Sequence, residues 1–366
     1  MMVFLSKEHS PKWSAGLIAA SVLLSVTVFP METGHAAVKE VQSVVDKSQV
    51  VLKSNGTVTE HNGIFREGEI WIPLTYMRDV LRMPLAYDKN ENSYTIGKGT
   101  TMTKIMVSGY GNPIYVNKFF IREYEGKMIN NRLYVPFGLL NDYLGYKGDY
   151  SSATSRLNIL SRPKNPLTIT TESYVKDTKS ALIKLDYPKV RLNRPNVQKA
   201  INDVLKESTL KFAAGAEADI ANKTGEEQIY AYDSSYVVTY NQDNVLSLVM
   251  YQYSDTGGAH GMTYRQAFTF SLKDGKQLLL GDLFGANPNY KKELNAKLNK
   301  LVKAEGGYLG GFNGLTTEKY FYLKEDKVVL FFQLYEYTAY ASGIPEYTFS
   351  FKELLPDGSS PFASLK

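Results

Sequence analysis

A short apolar run ending in proline, followed by apolar positions at helical spacing, occurs twice near the start of the chain. Ile70-Trp-Ile-Pro-Leu74 is matched by Leu133-Tyr-Val-Pro-Phe137 at an offset of 63 residues. The register continues past the motif: Met77 falls on Leu140, Leu81 on Leu144, Tyr87 on Tyr150 and Ile96 on Ile159. One supersecondary unit has been used twice. In the first copy Leu74, Met77, Val80 and Leu81 predict an amphipathic helix, and Ser93 to Ile96 a closing strand. In the second copy Leu140, Tyr143 and Leu144 take the same part before a strand from Arg156 to Leu160. Proline suits the strand-to-helix junction because a backbone donor is not needed there.

Beyond a linker carrying Pro163 and Pro166 the pattern changes. Strands are expected from Leu167 to Thr171 and from Ser180 to Pro188. Pro195 then opens a helix with Val197, Ile201, Val204, Leu205 and Phe212 on one face. Period-two segments follow at 236–240, 245–253 and 264–272. In the last, Tyr264, Gln266, Phe268, Phe270 and Leu272 alternate with Arg265, Ala267, Thr269 and Ser271. Asn287-Pro288 predicts the cap and first residue of a second helix, whose apolar face holds Leu294, Leu298, Leu301 and Val302 and which ends at Gly306-Gly307. Strands from Val328 to Leu334 and Tyr347 to Phe351 close the chain. The expectation is an α+β fold: a duplicated small strand-helix-strand module over 40–160, then a mainly antiparallel sheet domain with two packed helices over 161–366.

Composition narrows the function classes. The 366 residues contain no cysteine, so disulfides, thiolate metal sites and cysteine nucleophiles are all excluded. A net charge of +5 without a basic run or recognition motif argues against nucleic acid as a partner. Lys7 and Lys12 precede an apolar run from Ala15 to Phe29, and Gly34-His35-Ala36 offers small residues of the kind a signal peptidase reads. Residues 1–36 are therefore expected to be an export signal, either cleaved after Ala36 or kept as an anchor. The run falls short of the roughly 20 residues of a stable membrane span. On either account the remainder is expected outside the cytoplasmic membrane, secreted or attached to the wall. After cleavage only His61 and His260 remain, too few for a three-histidine copper site.

Two irregular segments hold more chemistry than turns need: Asp255-Thr-Gly-Gly-Ala-His-Gly261 and Tyr335-Glu-Tyr-Thr-Ala-Tyr-Ala-Ser-Gly343. Glycines at 257, 258 and 261 would let the first place His260 over a concave surface, with Asp255 near enough to pair with it. Tyr335, Tyr337 and Tyr340 would form a contact patch. The candidate ligand-binding residues are thus Asp255, His260, Tyr335, Glu336, Tyr337 and Tyr340. Asp282 and Glu336 are a candidate carboxylate pair of the glycosidase kind, although Asp282 also suits a helix cap within Gly281-Asp-Leu-Phe284.

The aromatic-aliphatic-proline repeats resemble the copper amine oxidase N-terminal-like stalk domain, which implies an adhesive or spacer module without oxidase chemistry. Thr256 to Gly261, Asp274-Gly-Lys, Leu280-Gly-Asp-Leu-Phe284, Val328 to Phe332 and Tyr335 to Gly343 resemble, in order and spacing, the paired extracellular domains of RsiV-type lysozyme-sensing anti-sigma factors and PdaC-type peptidoglycan deacetylases. One departure is Ala339, where that pattern has proline before the tyrosine. The resemblance implies a non-catalytic envelope protein that binds a wall-associated protein, lysozyme among the candidates, or peptidoglycan. The alternative it leaves open is an accessory or hydrolytic role on peptidoglycan. No cofactor is expected, since two histidines cannot supply the deacetylase's metal motifs.

Overall fold

The two apolar-proline segments become strands Glu69–Pro73 and Arg132–Pro136, each running directly into a short helix, Leu74–Asp79 and Phe137–Tyr143. This computed structural model describes residues 48–225, 228–355 and 357–365, so the expected export signal lies outside the described residues. Both prolines stand just before the helix, at φ −70 and −66, the angle their rings impose. The two strands pair antiparallel with Ile72 opposite Val135. Because the 63-residue offset carries Ile72 onto Val135, the repeats are related by a local two-fold axis between these residues. Equivalent positions are buried alike: Met77 and Leu140, and Ile96 and Ile159, are all inaccessible, whereas Tyr87 and Tyr150 are both exposed.

The symmetry breaks at the closing strands. Arg156–Ser161 pairs parallel with Gln49–Ser54 of the first repeat, Leu52 opposite Leu157, within a seven-stranded sheet. In the first repeat, Ser93–Ile96 pairs instead with an extra strand, Thr103–Met106, in a five-stranded sheet that continues through Pro113–Val116 to Phe119–Glu125.

Downstream, Leu167–Asp177, Ala181–Leu192, Tyr230–Gln242, Val245–Asp255 and Met262–Ser271 lie side by side in chain order. Neighbours are antiparallel except Ala181–Leu192 and Tyr230–Gln242, which run parallel because the helix Pro195–Ala221 crosses between them. That helix covers one face, its Val197, Ile201 and Leu205 against Tyr236, Leu248, Met250, Phe268 and Phe270. On the other face Val237, Val249 and Ala267 join a core with Ile105, Ile114 and Phe119 of the repeats and Tyr322, Val329 and Phe331 of a three-stranded sheet. The three strands of that sheet are Phe321–Lys324, Lys327–Phe331 and Glu346–Ser350, and Leu294, Leu298 and Val302 of the helix Tyr290–Lys303 pack against it. Mixed helices and mostly antiparallel sheets make the fold α+β, as expected.

Several local expectations change. The alternation over 264–272 does not separate core from solvent: from Ala267 onward both faces are buried, because each has its own covering layer. Asn287 does not cap the second helix; its Oδ1 accepts from Asn289 N at 2.9 Å in a preceding turn, and the helix starts at Tyr290. Leu301 is exposed. Asp282 does cap, accepting from Leu279 N at 2.8 Å. The proline linker is not a gap in packing, since one apolar core runs from Val50 to Ile344. Polar ties cross the same junction. Lys118 pairs with Asp186 at 2.7 Å, Asn117 donates to Tyr236 O at 3.0 Å, and Arg122 donates to Ser342 O at 3.0 Å.

Candidate functional site

Val245–Asp255 and Met262–Ser271 stay paired up to Ser254 opposite Met262, so 255–261 is the turn of a long hairpin. Asp255 closes its start: Oδ1 accepts from Gly257 N at 3.0 Å, with Gly257 at φ +88, which glycine adopts without penalty. At its end, a Cβ on Gly261 would stand 2.1 Å from the Tyr253 hydroxyl, so a residue without a side chain is required where that ring crosses. His260 is presented between these two constraints, exposed to solvent.

The second segment is tied to the hairpin by Gln333, which is almost fully buried. Arg265 N donates to its Oε1 at 3.0 Å and its Nε2 donates to Arg265 O at 2.7 Å, so one side-chain amide substitutes for a backbone ladder. The chain then turns. Glu336 N donates to Gln333 O at 3.2 Å and Gln333 N donates to Glu336 Oε2 at 2.9 Å. Tyr335 stands in this turn at φ +64, a left-handed conformation that is unfavourable for a bulky side chain.

These constraints bring His260, Tyr335 and Tyr340 together. The His260 ring stacks on Tyr340 with centroids 3.7 Å apart and planes 18° apart, and the Tyr335 ring lies 6.2 Å from His260. Tyr340 donates its hydroxyl to Gly261 O at 2.9 Å. His260 Nδ1 is 3.1 Å from the same carbonyl, and Nε2 is 3.1 Å from the Tyr335 hydroxyl. A carbonyl only accepts, so these partners assign the proton to Nδ1, leaving Nε2 to accept from Tyr335. The imidazole is thereby oriented through both nitrogens, while His260 and Tyr335 stay exposed to solvent.

The six sequence candidates separate in space. His260, Tyr335 and Tyr340 form the cluster. Asp255 does not pair with His260, because its carboxylate is engaged by the backbone of its own turn. Glu336 is half-buried, its carboxyl pushed up by burial and only partly compensated by the Gln333 N–H. Tyr337 turns the other way into the core, edge-on to Phe312 and Phe332 with centroids 5.1 and 4.9 Å apart, and is no part of a contact patch. Nor do Asp282 and Glu336 form a shared acid-base site: Asp282 serves the cap at Leu279 and an ion pair to Lys276 at 2.6 Å. His61 lies on strand Thr57–Arg66, with Nε2 3.2 Å from Asp79. Among the described residues no group of three or more His, Asp or Glu is arranged to hold a metal ion.

Two contributors were not apparent from the sequence pattern. Gln333 ends an apolar run and looks like any surface polar residue. Tyr264 and Tyr320 line a recess of about 320 Å³ with Ser208, Lys211 and Gln266, their hydroxyls 3.2 Å apart. The Tyr264 hydroxyl is pushed up by burial, by the Tyr320 hydrogen bond and charge, and by the charge of Glu336.

Comparison with known proteins finds two family matches. Residues 174–263 match the family described as Deacetylase PdaC, and residues 281–352 match a protein family of unknown function, DUF3298. The cluster is built across both matched segments, with His260 from the first and Tyr335 and Tyr340 from the second. No curated protein matches the chain. Among solved structures it is similar to a DUF3298-family protein of Bacteroides fragilis, at 21% identity over 56% of this chain and 99% of that one, with a TM-score of 0.40. A DUF3298-family protein of Pseudomonas aeruginosa is similar at 18% identity over 53% and 93%, with a TM-score of 0.37.

Proposed function

We propose that this is a non-catalytic cell-envelope binding protein, which holds a wall-associated glycan or protein on the His260–Tyr335–Tyr340 cluster and the adjoining Tyr264–Tyr320 recess. The PdaC and DUF3298 domains support the envelope setting. In the described residues no helix is long and apolar enough to cross a membrane. One observation carries the assignment: Tyr335 is held half in solvent, 47% exposed, on a left-handed backbone that costs about 1–2 kcal/mol. Such strain persists where the surroundings over-determine it, and it clusters at sites that bind. Rigid aromatic rings at a surface supply contact area at low entropic cost. The resemblance of 40–160 to stalk domains fits a spacer role for the repeats.

Insoluble peptidoglycan and lysozyme are the two ligands to test, by co-sedimentation and by calorimetry with the full chain. Wild type should bind one of them, and Tyr335→Asn should weaken that binding about tenfold or more, as loss of a central aromatic anchor does. If neither ligand binds, or Tyr335→Asn binds as wild type does, the assignment fails. The family name also suggests deacetylation. Release of acetate from peptidoglycan by the wild-type chain would favour that second reading.

A further inference from the structure

Among the described strands that end a sheet, Leu167–Asp177 is the longest, with 11 residues. The other end of its sheet, Met262–Ser271, is closed: Gln333 takes both backbone groups of Arg265, and Gln277 bridges to Phe270. Leu167–Asp177 has no such closure. It pairs residue for residue with Ala181–Leu192 along its whole length, without a bulge, and it contains no proline. Among the described residues its backbone from Thr168 to Asp177 bonds to nothing outside that ladder. The turn Gly99–Thr101 lies beside its start, where Thr100 and Thr101 share a cavity with Leu167 and Ile169. Soluble proteins normally cover or interrupt an edge of this length, because its free N–H and C=O groups are a template for another strand.

The side chains point to the strand that fits. Glu172, Tyr174 and Lys176 stand on one face: Tyr174 and Lys176 donate to Glu217 of the helix Pro195–Ala221 at 2.6 and 2.9 Å, and Glu172 accepts from Tyr187 at 3.1 Å and pairs with Lys189. Glu172 and Lys176 nevertheless keep 39% and 46% of their side chains exposed. Antiparallel pairing of this strand with a second copy of itself about Glu172 would set two carboxylates opposite each other. About Tyr174 it sets Glu172 opposite the partner's Lys176 and Lys176 opposite the partner's Glu172, two favourable cross-strand pairs. On the other face Val175, 64% exposed, then meets the partner's Ser173. We propose that two copies of this chain dimerise by pairing 171–177 antiparallel about a two-fold axis at Tyr174, joining their five-stranded sheets into one. Such closed two-fold pairing is the commonest oligomer symmetry. The helix Pro195–Ala221 packs mainly over Ala181–Leu192, so the two helices stand three strand spacings apart, about 14 Å, against the roughly 8–10 Å of packed helices, and clear each other. On the function proposed above, a dimer carries two ring clusters and can hold a repeating wall polymer at two points.

The test is sedimentation equilibrium of the full chain, in which wild type should be a dimer that dissociates on dilution. Glu172→Lys and Lys176→Glu each turn both cross-strand pairs into like-charge pairs, and each should raise the dissociation constant about tenfold or more. Mixed in equal amounts, the two variants regain both opposite-charge pairs across the axis and should form a heterodimer, a rescue that a folding defect in either would not give. Hydrogen exchange reads the same edge without a substitution. Amides within 171–177 should gain protection as the wild-type concentration rises, and those of Met262–Ser271 should not. A wild type still monomeric at about 100 μM, variants that dimerise as tightly as wild type, or a mixture of folded variants that stays monomeric overturns the proposal.

Discussion

Tyr335 and Tyr337 are two residues apart in one loop, yet they have opposite fates. Tyr335 is exposed on a strained backbone, while Tyr337 is buried among Phe312 and Phe332. Asparagine tolerates the left-handed conformation far better than tyrosine, so Tyr335→Asn should leave stability unchanged or raise it by up to about 1 kcal/mol. Tyr337→Ala should cost about 3–5 kcal/mol as a large core aromatic is lost. Urea unfolding of the two variants checks both. Equal destabilisation would mean that Tyr335 holds the fold and is not kept for a ligand. The glycines, histidine and tyrosines of the two loops were legible in the sequence as unusual content. Which tyrosine faces water was not, because irregular backbone has no period from which a face can be read.

Among the elements, the 63-residue repeat was the most legible feature, since matched burial at matched positions left matched apolar residues in the chain. Its two-fold pairing at Ile72 and Val135, and the breaking of that symmetry by Thr103–Met106, depend on contacts distant in sequence. The alternation over 264–272 predicts one buried face, but layers on both faces of Met262–Ser271 bury its second half. Position along a strand does not reveal a second covering layer. Gln333 shows the same limit, for it joins two elements only after both have folded. Gln333→Ala leaves the buried N–H and C=O of Arg265 without partners, each costing about 1–3 kcal/mol. Denaturant unfolding should show a loss of at least about 2 kcal/mol. Binding at the cluster should also fall, because the second loop loses its tie to the hairpin. Gln333→Glu restores only the acceptor and should recover part of the stability at most. A variant as stable as wild type would mean that backbone packing alone positions the loop.

Across the whole molecule, buried charge joins what the sequence presents as two segments. Lys324, from the three-stranded sheet, lies 2.7 Å from Glu123 and 3.2 Å from Asp142 of the repeats, with only 8% of its side chain exposed. Burial opposes each charge, but the attraction among them prevails: both carboxyls are held below their ordinary range and the ammonium above its own. The signs fix the pH window. The carboxylates contribute stability that is present above their unfolded pKa, about 4, and is lost as pH falls through the lower folded values. Lys324 contributes stability that is present below about pH 10.4 and lost as pH rises through its higher folded value. Lys324→Met leaves two buried carboxylates uncompensated and should cost about 3–5 kcal/mol at pH 7. Adding Glu123→Gln and Asp142→Asn removes the stranded charges, so the triple variant should regain much of that loss. Its unfolding free energy should then change less than that of wild type between pH 7 and pH 3. A triple variant no more stable at pH 7 than Lys324→Met, with the full acid sensitivity of wild type, would show that this charge cluster does not join the repeats to the sheet.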